Sequence, residues 1–239
     1  AFRLEAYLGE VAKYLGVHAS FISTPTSLTF VIWSDRHEDE YNHAARLQPG
    51  DLDMNALSLT DELASELLSG NLSLTEADKR LNEIDAMGSP YGKLSTGTAF
   101  AMATGAFAML MGASWSEIGW SAALGIVAYL WTLWAQQSKR VNLMLEPVTA
   151  FVGGILTCAI SRYIDPGMNI PLVVLSSVIV FVPGLSLTMG LAELSSRNMV
   201  SGTARTMDAI MQLFKLYFGA FLGVSVGFSV FGENVYTPA

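Results

Sequence analysis

Two charged residues inside an apolar helix pose the first chemical question. The stretch ARTMDAIMQLFKLYFGAFLG, residues 204–223, places Asp208 and Lys215 seven residues apart. Two turns of helix put both on one face. A charge in lipid is costly, and such residues usually face a cavity or a partner. Lys215 lies about three turns into the stretch, and its stem reaches the headgroups only over a limited distance. It therefore needs a counter-charge, a water-filled cavity or a neutral form. The rise from Asp208 to Lys215 is roughly 11 Å, too far for a tight ion pair without a bend or a bridging water. Lys215 is expected to attract an anionic substrate group such as a carboxylate, or else to pair with a partner subunit. Asp208 would balance that charge, contact an amine, carry a coupling proton, or simply bridge to Arg205 or Lys215.

A second candidate is FVPGLSLTMGLAEL, residues 181–194. Pro183 removes a backbone donor and Gly184 loosens the chain beside it, so a helix break is expected there. Breaks inside membranes are tolerated where freed backbone groups find partners or line a cavity. Transporters use them to present backbone dipoles to a substrate. Ser186 and Thr188 follow, and their hydroxyls can bond freed carbonyls or a substrate. The plain alternative is a kinked helix that fits its neighbours. Glu193, Arg197 and Arg205 cluster beyond it and read as a solvated turn with charge pairing. Glu146, before Pro147, reads as complementing a helix N-terminus.

The elements that must position these residues are apolar and long. Half of the 239 residues are hydrophobic and only 14% are charged. The charge is split: residues 1–92 carry six Lys/Arg and fifteen Asp/Glu, whereas residues 93–239 carry seven and six. A bilayer-crossing helix needs about 20 mostly apolar residues. Five such stretches occur, near 94–113, 115–137, 145–163, 170–194 and 204–231. With the acidic part in the cytoplasm, Lys93, Lys139, Arg140, Arg197 and Arg205 fall on that side and Arg162 on the other, which fits the positive-inside bias. The C-terminal GENVYTPA is then expected outside. Glycines recur along the stretches: Gly97, Gly105, Gly112, Gly119, Gly125, Gly153, Gly154, Gly219, Gly223 and Gly227. Small residues let helices approach closely in lipid.

The expected fold is therefore an α-helical polytopic membrane protein with five transmembrane helices (93–239) and a small acidic N-terminal α/β domain (1–92). In that domain AFRLEAYLGEVAKYLG reads as an amphipathic helix entered partway, with Phe2, Leu4, Tyr7, Leu8, Val11 and Leu15 apolar. VHASFIST and SLTFVIWS read as strands parted by Pro25, with YNHAARLQ as a possible third. DLDMNALSLTDELASELLSG reads as a helix stopping at Gly70. LSLTEADKRLNEIDAMG reads as another, with Thr75 as cap and Gly88 as stop. DRHEDEYNH groups Asp35, His37, Glu38, Asp39, Glu40 and His43 without a metal-ligand spacing, and reads as an acidic loop.

Several classes are disfavoured. An acidic balance does not suit nucleic acid. The single Cys158 excludes an internal disulfide and a Cys-based metal cluster. There is no Walker A, G-x-S-x-G, G-x-G-x-x-G or H-E-x-x-H, so neither an ATP-driven pump nor an enzyme is expected. No cofactor and no metal are expected.

Three stretches, YLGEVAKYLGVHASFISTPTSLTFVIWS, LLSGNLSLTEADKRLNEI and VPGLSLTMGLAELSSRNMVSGTARTMDA, carry a family resemblance. On them the sequence resembles the threonine/serine exporter family, in the half that joins a soluble domain to five spans. The resemblance covers essentially the whole chain. It implies ion-gradient-driven export of small hydrophilic metabolites, threonine/serine-type amino acids or a dicarboxylate such as succinate, across a bacterial inner membrane. It also implies a second five-span half, in the same longer chain or as a separate subunit, and hence a homo- or hetero-oligomer. Only Pro183, Gly184, Gly202 and Arg205 are carried over from it. The competing reading is a membrane scaffold or regulatory subunit whose partner forms the path.

Overall fold

The computed structural model describes residues 2–34, 37–47, 53–88 and 91–232. Asp35 of the acidic segment and the C-terminal residues beyond Gly232 lie outside the described residues. The chain falls into two compact units: residues 1–90 with 185–207, and residues 91–184 with 208–239.

The first unit begins with helix α1 (Phe2–Tyr14) and three strands, β1 (His18–Thr24), β2 (Ser27–Ser34) and β3 (His37–Arg46). They form an antiparallel sheet in the order β1-β2-β3. Thr24 faces Ser27 across the turn at Pro25, and Phe21 faces Phe30. The segment expected as an acidic loop is largely β3, whose His43 packs on Phe30 with ring centroids 5.4 Å apart. Pairing with β2 extends this strand well before the expected YNHAARLQ. Helices α2 (Met54–Leu68) and α3 (Leu74–Ala86) follow. Leu63, Leu67, Leu72 and Ala77 form their shared core, with Val11 and Ile84 packed against it.

Thr75 is not the cap of α3. Ser73 is, because Glu76 completes a capping box with it: Glu76 N–H donates to Ser73 Oγ and Ser73 N–H donates to the Glu76 carboxylate. These hydrogen bonds from Ser73 hold the Glu76 carboxyl below its ordinary range. A depressed carboxyl stabilises the fold above its unfolded value, and the contribution is lost as pH falls through the folded one.

The same unit contains helix α9 (Gly184–Ser195), from Leu185 onward, and the first residues of α10 (Met199–Phe231). The turn between them is closed by Asn198 N–H to Glu193 O at 2.9 Å, with Arg197 left-handed at φ 62°. Gly202 and Gly190 let the helices touch. A Cβ on Gly202 would sit 2.8 Å from Leu194 N, and one on Gly190 2.5 Å from Thr206 Oγ1.

The second unit contains α4 (Lys93–Leu110), α5 (Trp115–Ala135), the short α6 (Lys139–Asn142), α7 (Leu145–Tyr163), α8 (Ile170–Ser177), a 3-10 turn (Ile179–Phe181) and most of α10. Helices thus occupy all five apolar stretches. Among the described residues, α5 and α10 alone are long and apolar enough to cross a bilayer as single helices. Ile170–Ser177 with Ile179–Ser195 passes as a broken span. The remaining two are 18 and 19 residues long but are diluted by Gly, Ala, Ser and Thr, and α7 also carries Glu146 and Arg162.

Helix contacts in this unit are made by small residues. Gly219, Gly223 and Gly227 of α10 run against Pro147, Phe151 and Cys158 of α7. A Cβ on Gly219 or Gly223 would overlap the Pro147 or Phe151 carbonyl oxygen. From the other side, a Cβ on Gly154 would lie 2.9 Å from Val224 N. The core is correspondingly polar: Thr104, Ser121, Thr157, Ser161 and Ser176 are fully buried. Thr104 Oγ1 and Thr157 Oγ1 donate to carbonyls one turn back, Phe100 O at 3.0 Å and Gly153 O at 2.7 Å. At the far end Glu117 caps α5 through Ser114, and its other oxygen accepts from Asn169 N–H at 2.7 Å. Asn169 in turn caps α8.

Gly223→Ala should cost about 1–3 kcal/mol, because the overlap is with backbone that cannot rotate away. Gly119→Ala, with nothing near its Cβ, is the control. Equal melting temperatures for the two variants in detergent would show that the α7–α10 contact is looser than described.

Candidate functional site

The predicted break is present, and it begins earlier than Pro183. Helix α8 ends at Ser177, a 3-10 turn covers Ile179–Phe181, and α9 restarts at Gly184. Pro183 is buried and Gly184 exposed. The local backbone is partly self-satisfied: Phe181 N–H donates to Val178 O at 3.0 Å, Val182 N–H to Ile179 O at 3.0 Å, and Gly184 N–H to Val182 O at 2.8 Å. Ser177 Oγ returns to Val174 O at 2.8 Å. Proline suits the spot because it has no N–H to lose. Beyond the break, Ser186 is half-buried, and Thr188 Oγ1 donates to Leu185 O at 2.9 Å. Beside the break, Val178, Phe181 and Val182 pack with Ala150 of α7 and Leu216 of α10.

The charges of the α9–α10 turn are arranged differently from a solvated turn. Glu193 is buried, and Ser201 Oγ donates to its Oε2 at 2.8 Å. Arg205 Nε lies 3.5 Å from the same oxygen, an ion pair without hydrogen-bond alignment. The burial of this carboxylate comes from tertiary packing, which the local sequence does not show. Arg205 is 28% exposed, and its terminal amino groups make no hydrogen bond among the described residues. The buried Thr206 Oγ1 beside it has no partner either. A guanidinium fixed by one carboxylate with its fork open is suited to a second carboxylate.

Asp208 and Lys215 do not meet. Asp208 is exposed and Lys215 half-buried, and neither makes an ion pair or hydrogen bond among the described residues. They flank Gln212, which lies four residues after one and three before the other. Gln212 Nε2 donates to Glu146 Oε1 of α7 at 3.3 Å. This Glu146–Gln212 pair was not foreseen; the sequence signal for it is the polar recurrence at 208, 212 and 215. Deeper in the unit, a cavity of about 20 Å³, roughly one water in size, is lined by Leu124, Trp131, Thr149, Gly153 and Ser177. Trp131 Nε1 is buried without a partner among the described residues.

Glu193→Ala strips the half-buried Arg205 of its counter-charge and the Ser201 hydroxyl of its acceptor. It should lower stability by about 1–3 kcal/mol, and Glu193→Gln by less, because an amide oxygen still accepts from Ser201. Thermal denaturation of the two purified variants orders them.

The chain is 25% identical over 229 residues to pheromone-regulated membrane protein 10 of Yarrowia lipolytica, covering 94% of this chain and 19% of that protein. It is 25% identical over 238 residues to an uncharacterized protein of Schizosaccharomyces pombe, covering 96% of this chain and 30% of the relative. The chain thus spans less than a third of the length of either. No solved structure matches it. The model of the threonine/serine exporter family, ThrE, matches residues 1–227. With its apolar helices and that match over nearly its whole length, the chain is a membrane protein and belongs to the threonine/serine exporter family.

Proposed function

We propose that the chain is one five-span half of a secondary exporter for small hydrophilic metabolites. The substrate class is a carboxylate-bearing molecule: a threonine/serine-type amino acid or a dicarboxylate. Export is driven by an ion gradient and needs a second five-span half. The acidic domain lies in the cytoplasm; the placement in a bacterial inner membrane rests on the resemblance of the sequence, since the two relatives compared are fungal.

One observation carries the reading. Asp208 and Lys215 sit on a bilayer-length helix with no partner among the described residues. A charge left at the centre of a bilayer costs about 2.5–3.5 kcal/mol on insertion scales. Each therefore belongs against water, substrate or another protein segment. Away from the glycine seam, α10 also exposes Phe214, Tyr217, Phe218 and Phe221, with Phe214 stacked on Phe218 and Tyr217 on Phe221. Lipid suits the rings but not the charges, which favours protein or water against the flank that carries Asp208 and Lys215. The helix break at Val178–Pro183 supplies further polar backbone groups of the kind a path requires.

Lys215→Met keeps the length and apolar stem and removes the charge. It should assemble normally and lower counterflow into proteoliposomes containing both halves by about tenfold or more, equivalent to about 1.4 kcal/mol. Wild-type exchange in this variant would remove Lys215 from the path. Pro183→Ala should lower transport more than expression. For topology, Ser116→Cys should label from the side opposite Ser58→Cys, over the low background of the buried Cys158. Labelling of both from one side would sink the five-span arrangement. Transport by this chain alone would remove the need for a second half.

A further inference from the structure

The two edges of the three-stranded sheet are finished differently. At the β1 edge a backbone donor is capped: Ser23 N–H donates to Glu5 Oε1 of α1 at 2.7 Å. At the β3 edge no such cap is present among the described residues. Leu47 N–H donates to Thr26 O at 2.8 Å, so by antiparallel alternation Ala45, His43 and Tyr41 bond toward β2 as well. The N–H and C=O groups of Arg46, Ala44, Asn42 and Glu40 therefore point away from the sheet. The side chains of Glu40, Asn42, His43, Ala44 and Arg46 are exposed, and Tyr41 is 76% exposed.

An open edge is a template for another strand, and charges on it usually discourage pairing. This edge carries both signs, in an order that complements itself. Pairing with β2 stays in step from Tyr41 to Arg46 and shifts beyond that, between Ile32 and Ser34. Two copies of this stretch can run antiparallel about a two-fold axis at His43. The outward groups of one copy then meet those of the other. Glu40 stands opposite Arg46 of the second copy, and Arg46 opposite its Glu40. Opposite charges directly across an antiparallel pair attract, and like charges repel. Tyr41 stands opposite Ala45, a small residue that leaves room for the ring. A shift of one residue sets outward groups against inward ones and forms no ladder. A shift of two breaks both Glu40–Arg46 pairs.

We infer that the β3 edge is a self-association surface. Strand β3 of one copy pairs antiparallel with β3 of a second copy, centred on His43, and joins two three-stranded sheets into one of six strands. The inference concerns the N-terminal unit and does not rest on the exporter reading.

Cross-linking reads both the contact and its register. About the two-fold axis the two His43 residues form a non-hydrogen-bonded pair with Cα atoms about 4.5 Å apart, within disulfide range. The two Tyr41 residues are four positions out of step, about 14 Å apart along the strands. On mild oxidation of membranes containing the full chain, His43→Cys should give a disulfide-linked dimer in about tenfold or more the yield of Tyr41→Cys. The wild type, whose Cys158 is buried, should give none. Equal yields from the two variants, or no dimer from His43→Cys, would overturn the pairing. A second test leaves His43 and its contact with Phe30 in place. Glu40→Arg turns both ion pairs into Arg–Arg pairs. It should raise the dissociation constant of the dimer, measured by sedimentation equilibrium of the purified full chain in detergent, by about tenfold. Adding Arg46→Glu restores opposite charges and should return the wild-type constant. A monomeric wild type would leave this edge to a different partner and overturn the inference. A dimer that neither substitution affects would move self-association to another surface and overturn it equally.

Discussion

The close approach of α7 and α10 is the constraint on which the membrane unit depends. In lipid there is no hydrophobic force to press helices together, so association relies on packing and on internal hydrogen bonds. Gly219, Gly223 and Gly227 bring the α10 backbone against Pro147, Phe151 and Cys158 with no room for a methyl group. That seam fixes the rotation of α10 about its axis. Once the glycine side faces α7, Gln212 is placed against Glu146, and Asp208 and Lys215 fall beside the packed face at Ala209 and Leu216 rather than within it.

Small residues do a second job at α8 and α9. A helix that stops at Ser177 and restarts at Gly184 leaves carbonyls with no helical donor. Buried hydroxyls and short turns recover part of that cost. The break also divides the unit boundaries: residues before Leu185 belong with the membrane helices, and residues 185–207 with the N-terminal domain's unit. Within that unit Glu193 and Arg205 form a partly buried pair. Such pairs rarely add much net stability, since desolvation offsets the attraction.

The sequence was informative where local chemistry decides. The strands around Pro25, the helix ending before Gly70 and the break at Pro183 could be read from residue types alone. The capping box of α3 was legible too, since Ser73 and Glu76 stand at the required spacing, yet Thr75 competes with Ser73 as a cap on composition alone. The acidic segment before Tyr41 was harder. Its charges suggest a loop, and only pairing with β2 makes it a strand. Hydropathy likewise marked five helical stretches, but Gly, Ala, Ser and Thr leave α4 and α7 short of a clear bilayer signal, because residues that favour close packing carry little apolar surface.

By itself, then, the sequence determined the membrane class, the helical stretches, the break and the presence of two charges on α10, all of which follow from composition and period within one segment. Tertiary structure decided which polar groups are buried and which face one another. Glu193 looks like a surface turn residue until tertiary packing buries it. Glu146 looks like a helix-end charge until α10 lays Gln212 across it. Burial and partnership depend on the neighbour a helix packs against, and no periodicity within one helix specifies that neighbour.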